Sequence, residues 1–139
     1  MGIRPNLMRR IRVLNRRSAV LWLVLLGSGL SAPLGHAQVA SDGSLGKPGD
    51  VGGGGGATYE ITPEYGRTLG DNLFHSFSRF DLQNGQIARF VGPAHIRNVL
   101  GRVTSGSRSA LRGQVGSSIS GANIFLLNPA GFIVGARST

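Results

Sequence analysis

The sequence predicts an all-β chain beyond residue 84, built from short strands separated by tight turns. Three observations carry this. From Ile87 onward, apolar runs of three to five residues alternate with breaks rich in Gly, Ser, Pro or Asn. No part of that stretch sustains a 3.6-residue period. Glycine is abundant, at 23 of 139 residues, but lacks the every-third-position frame of collagen. Strands this short fit a sandwich, a barrel or a stacked solenoid. The brevity of strands and turns favours the solenoid. So does the unbroken apolar run Ile124–Leu127, which suits a strand covered on both faces.

The elements follow in chain order. Residues 1–37 hold six arginines and no acid (Arg4, Arg9, Arg10, Arg12, Arg16 and Arg17). The apolar run Ala19–Leu26 comes next, then Pro33, then Gly35-His36-Ala37. This is the pattern of a signal peptide, with cleavage expected between Ala37 and Gln38. The apolar run is shorter than the ~20 residues that span a bilayer, so no stable transmembrane segment is expected. The residues after Arg17 match the twin-arginine pattern poorly, which points to the general export machinery. The mature chain would have about 102 residues. The whole chain carries a formal charge of +9, but past residue 37 nine basic residues face six acidic ones. Whole-chain basicity therefore gives no support to nucleic-acid binding.

Residues 38–57, with the run Gly52–Gly56, read as a flexible lead, because five glycines lose much backbone entropy on ordering and bury nothing. Gly46-Lys47 is followed by Pro48, so no phosphate-binding loop is predicted. The partial domain is expected over 58–139. Tyr59 and Ile61 mark strand-like pieces broken by Pro63 and Gly66. Phe74, Phe77 and Phe80 recur every three residues, a spacing that fits a helical turn or a bent strand. Asn84-Gly85 predicts a two-residue hairpin pairing Phe80–Leu82 with Ile87–Phe90. Further strands are expected at Ile87–Val91, Ile96–Leu100, Arg102–Thr104, Leu111–Val115, Asn123–Leu127 and Phe132–Val134. Asn128-Pro129-Ala130-Gly131 has Asn at i, Pro at i+1 and Gly at i+3, the signature of a type I turn reversing the chain between two apolar strands.

The chemistry on offer is sparse. There is no cysteine, which removes disulfides, thiolate metal sites and cysteine nucleophiles. The acids are Asp42, Asp50, Glu60, Glu64, Asp71 and Asp81, and the last 58 residues contain none. A carbohydrate-cleaving β-helix needs clustered carboxylates, and the strand-rich half offers no candidate. His75 and His95 lack partners for zinc, and no G-x-S-x-G occurs. No catalytic, cofactor or metal residue is therefore expected. Arg89, Arg97, Arg102, Arg108, Arg112 and Arg137 read first as a solvated face that blunts strand edges. The sharper reading is an anionic partner, and the absence of interleaved aromatics argues against nucleic acid.

Several segments together resemble one family. They are Asp42-Gly43-Ser44-Leu45-Gly46; Gly70 to Phe77 with Phe80 and Leu82; Ile96 to Gly106; Ser109 to Gly113; and Ala122 to Gly135. With a signal peptide in front, the chain resembles the N-terminal secretion domain of two-partner-secretion exoproteins of the filamentous haemagglutinin type. The resemblance implies a right-handed parallel β-helix with an N-terminal cap and hairpins, and no enzyme activity. It implies passage through the periplasm and recognition by an outer-membrane β-barrel transporter through POTRA modules. The chain would then reach the cell surface, with the effector activity (adhesion to a host glycan or receptor, haemolysis or contact-dependent toxicity) residing in a longer C-terminal region. The residues it marks for recognition or fold are Asn72, Leu73, Phe74, His75, Ser76, Phe77, Arg102, Val103, Asn123, Asn128, Pro129 and Gly131. Two features depart from the family: Ala130 stands where an asparagine is usual, and the chain stops at Thr139, which predicts a fragment or a truncated reading frame. The competing expectations are the start of a carbohydrate-active β-helix enzyme and a free-standing adhesin for anionic glycans.

Overall fold

Eleven strands of the computed structural model, which describes residues 38–52 and 57–136, lie in three separate sheets, none closed into a barrel. The predicted signal peptide and its cleavage residue Ala37 lie outside the described residues, as do Arg137 and most of the glycine run. Three strands form the heart of the first sheet: β5 (Asn72–Phe80), β7 (Asn98–Val103) and β10 (Asn123–Leu127). All run parallel and in register, with Asn72, Asn98 and Asn123 on one rung and Leu73, Val99 and Ile124 on the next. The second sheet stacks β3 (Thr58–Ile61), β6 (Ile87–Phe90) and β9 (Gln114–Ser117), again parallel. The third pairs β8 (Ser109–Leu111) with β11 (Phe132–Val134), and a parallel bridge joins Leu82 to Leu111 below them. Neighbouring rungs of the first sheet are 26 and 25 residues apart in sequence. The chain thus visits the sheets in the same order repeatedly, and each visit lies on the previous one.

The lower edge of β5 is closed differently. β4 (Gly66–Leu69) covers Asn72–His75 and β1 (Val39–Ser41) covers Phe77–Phe80, both antiparallel. β2 (Gly49–Asp50) pairs with β1 in turn. Within residues 38–52, Val39 and Val51 are fully buried. Apolar burial at these two positions opposes the ordering entropy of the glycine-rich chain between them, together with the β1 and β2 pairing.

The spacing of the phenylalanines has a local cause. The register of β1 against β5 slips by one residue, so Ser78 is an extra, bulged position between Phe77 and Arg79. Before the bulge, alternation turns Leu73, His75 and Phe77 inward and Phe74 outward. The bulge resets the phase, and Phe80 also points into the core. Phe77, Phe80 and Phe90 meet there with ring centroids 4.9–6.5 Å apart, a range that favours edge-on and offset contacts.

Three local expectations change. Asn84-Gly85 does not make a hairpin, since β6 pairs with β3 and β9 and not with β5. Only Gly85 has positive φ, whereas a type I′ hairpin needs it at both central residues. The Gln86 N–H bonds to the Gln83 carbonyl at 3.1 Å, so the segment turns a corner from one sheet towards another. Ile96–Leu100 and Arg102–Thr104 merge into the single strand β7 through Gly101, while Leu111–Val115 breaks at Arg112-Gly113. A Cβ on Gly101 would sit 2.8 Å from Leu126 Cδ2 and 3.1 Å from Phe77 Cε2, so the glycine is a packing slot. At Gly113 a Cβ would strike the Gln86 carbonyl oxygen, where one corner lies on the next. Finally, β10 is not covered on both faces: Phe125 and Leu127 are 48% and 56% exposed.

Candidate functional site

The residues singled out in β5 divide by parity. Leu73, His75 and Phe77 face the core, with Val103 buried beside Phe77. Asn72, Phe74 and Ser76 face outward, and the in-register strands set Asn98, Leu100 and Arg102 beside them, then Asn123, Phe125 and Leu127. The outer face thus carries three rows. The first is an asparagine ladder in which Asn98 Nδ2 donates to Asn72 Oδ1 at 2.9 Å and Asn123 Nδ2 to Asn98 Oδ1 at 3.3 Å. The second is wholly apolar: Phe74, Leu100 and Phe125. The third runs from Ser76 through Arg102 to Leu127.

Ser76 anchors a polar clasp. Its hydroxyl donates to Asp42 Oδ2 at 2.5 Å and accepts from Arg102 Nε at 3.0 Å. Thr104 Oγ1 lies 3.0 Å from the same carboxylate oxygen. The Ser44 N–H donates to Asp42 Oδ1 at 2.8 Å, an Asx turn, and Arg102 Nη2 reaches Ser44 Oγ at 3.4 Å. The Asp42 N–H also bonds to the Ser76 carbonyl at 3.1 Å. These contacts fasten the segment after β1 across β5 and β7. Burial by itself raises the Asp42 pKa, but hydrogen bonds from Ser76, Ser44 and Thr104 outweigh it and lower the value from 3.8 to about 2. Asp42 and Thr104 lie in segments that carry the resemblance but are not among the residues it marks for recognition or fold. The local signal was the Asp-Gly-Ser spacing, which marks an Asx turn but says nothing of partners 34 and 62 residues away.

The folded pKa of Asp42 lies below its unfolded value, so its contribution is present above pH 3.8 and is lost as pH falls through about 2. Asp42→Asn is expected to cost about 1 kcal/mol, since an amide accepts fewer of these bonds. The check is amide exchange, which should quicken at Asp42 and Ser44 while the amides of β7 are unchanged. Equal exchange in both proteins would show the clasp to be idle.

His75 lies in the core against Phe77 and Phe90, at ring distances of 5.8 and 5.4 Å. Neither ring nitrogen has a hydrogen-bond partner among the described residues. Burial lowers its pKa from 6.5 to about 4, and the nearby Tyr65 backbone opposes this without forming a hydrogen bond. The imidazole is therefore a neutral aromatic filler at neutral pH.

Asn128-Pro129-Ala130-Gly131 forms the expected turn, with the Gly131 N–H bonded to the Asn128 carbonyl at 2.9 Å and Gly131 at φ +96°. Asn128 Oδ1 accepts from the Ala130 N–H at 2.9 Å. The turn is a corner and not a reversal, because β10 and β11 lie in different sheets. Asn128 Nδ2 stitches it to the coil beneath through the Ser107 carbonyl and Ser109 Oγ, both at 3.0 Å. Its side-chain hydrogen bonds are to Ser107, Ser109 and Ala130, none of them a residue of the Asp42 clasp. Gln38 opens the described chain, its carbonyl accepting from the Asp81 N–H at 2.7 Å. Arg89, Arg97, Arg102, Arg108 and Arg112 are all exposed but belong to different sheets and corners, so they make no single basic face.

Among the described residues no helix is long and apolar enough to cross a membrane, and no three His, Cys, Asp or Glu side chains gather as metal ligands. A family model described as the TPS secretion domain matches residues 37–139. No curated protein and no solved structure matches the chain.

Proposed function

Because this chain belongs to the TPS secretion-domain family, a module of two-partner-secretion exoproteins, we propose that it is the non-catalytic recognition part of an exported, adhesin-like protein. In this reading residues 1–37 direct export to the periplasm and are removed between Ala37 and Gln38. An outer-membrane β-barrel transporter then recognises the mature chain through its POTRA modules and passes it to the cell surface. The repeated parallel stacking of β5, β7 and β10, with the same order of sheets at each visit, supports a right-handed β-helix as the scaffold. The observation that carries the reading is the family match across 103 of the 139 residues. The antiparallel cover of β4 and β1 would act as the N-terminal cap of such a stack, preventing edge-to-edge association below β5.

The test is export from cells carrying the full chain with or without a two-partner outer-membrane transporter from the same host. The chain is expected outside the cell only when the transporter is present, and to be retained by its immobilised POTRA modules. Equal release without the transporter would overturn the proposal.

A further inference from the structure

The outer face of the first sheet contains an open groove of about 440 Å³ that the fold does not need for its own core. Its floor is Phe74, Leu100 and Leu127, and Leu45 and Leu69 form its sides. Leu69 and Leu127 are each 56% exposed, and Phe125 continues the apolar row on the rung of Leu100. An outer sheet face normally alternates to polar residues, so a continuous apolar row there marks an interaction surface.

Its margins narrow the choice of occupant. Along the strands, register sets the asparagine ladder on one side of the apolar row and the Ser76–Arg102 pair of the clasp on the other. The charged side chains that line the groove are Arg67 and Arg102. Arg102 is held by the neutral hydroxyls of Ser76 and Ser44. Arg67, exposed on β4, has no carboxylate at ion-pair distance among the described residues. The nearest acid of the clasp, Asp42, is already bonded to Ser76, Ser44 and Thr104. The groove crosses β4, β5, β7 and β10, three inter-strand steps, or about 14 Å. Because it is open along its length, an acyl chain lying in it would keep its far side in water. A peptide with apolar residues on one side and carboxylates at its margin satisfies floor, rim and solvent together.

We propose that this groove is a docking site for a short, apolar, acid-bearing peptide segment of a partner protein. The proposal rests on the recognition reading only for which protein supplies the segment, namely the transporter's periplasmic modules. Its chemistry is set by the groove itself.

The probe is a fluorescent peptide of alternating leucine and glutamate, compared with its leucine–lysine counterpart and with dodecanoate, on the full chain. The glutamate peptide is expected to bind at least tenfold more tightly than the lysine peptide, with a preference that weakens as salt rises. Arg67→Gln, an exposed substitution, should cut that preference at least threefold. Leu100→Thr should weaken the glutamate peptide at least tenfold while far-UV circular dichroism is unchanged. If Leu100→Thr misfolds, Arg67→Gln still decides. Equal binding of the two peptides overturns the proposal. So does binding of dodecanoate alone, which would make the groove a lipid site, or concentration-dependent self-association that occludes it. Capture by the POTRA modules separates the two readings. Wild-type capture that both variants retain leaves recognition standing and removes the groove from it. Glutamate-peptide binding without wild-type capture leaves the groove and removes the transporter.

Discussion

Phe77→Ala is expected to lower the stability of the chain by about 4 kcal/mol, a large share of what a single domain possesses. Phe77 is fully buried and is the hub of the aromatic cluster, with His75, Phe80 and Phe90 around it. Its ring also fills the slot left by Gly101 on the neighbouring strand. Removing it opens a cavity whose walls are rings and backbone, which collapse poorly. The check is urea unfolding followed by circular dichroism, with Phe74→Ala as the control. Phe74 lies three residues away in the same strand but faces outward, so its loss should cost about 1 kcal/mol. Equal effects at the two positions would refute the inward and outward assignments that alternation gives β5 before the bulge.

Acidification from pH 7 to pH 4 is expected to cost about 3 kcal/mol through His75 alone. The sign follows from burial. In the unfolded chain the imidazole titrates near 6.5, whereas in the core its pKa is lowered to about 4. Between those values the unfolded state holds a proton that the folded state refuses, so stability falls as pH falls and levels off below about 4. At 1.36 kcal/mol per pH unit the difference amounts to about 3 kcal/mol. His75→Phe, which keeps an aromatic ring beside Phe77 and Phe90, should flatten unfolding midpoints measured between pH 6.5 and 4. The Asp42 window lies lower, between 3.8 and about 2, so the two contributions separate. A variant that retained the wild-type slope above pH 4 would refute the role of His75.

Both effects depend on positions that local sequence patterns only half disclose. The aromatic cluster was visible, but its spacing of three left helix and strand equally open. The bulge that resolves it is a consequence of pairing with β1, 38 residues away at the Ser78–Ala40 contact. Strands Asn123–Leu127 and Phe132–Val134 were legible to the residue, because each is an apolar run closed by strong turn chemistry. Gly101 was misleading: it breaks an apolar pattern as a turn residue would, yet it sits inside β7 to make room for Leu126 and Phe77. In residues 38–57 the glycines are legible, but the burial of Val39 and Val51 depends on partners elsewhere.

The amino-acid sequence by itself determined that the chain beyond residue 84 consists of short strands and tight turns, since period and turn residues act over a few neighbours. It also determined the family, through motifs spread along most of the chain. Only the tertiary structure decided which strands lie side by side, what the outward row of Phe74, Leu100 and Phe125 amounts to, and that Asp42 reaches Ser76 and Thr104. The physical reason is distance along the chain. Rungs of the first sheet meet across 25 or 26 residues, and a contact at that separation is selected by core packing and register, which no local pattern encodes.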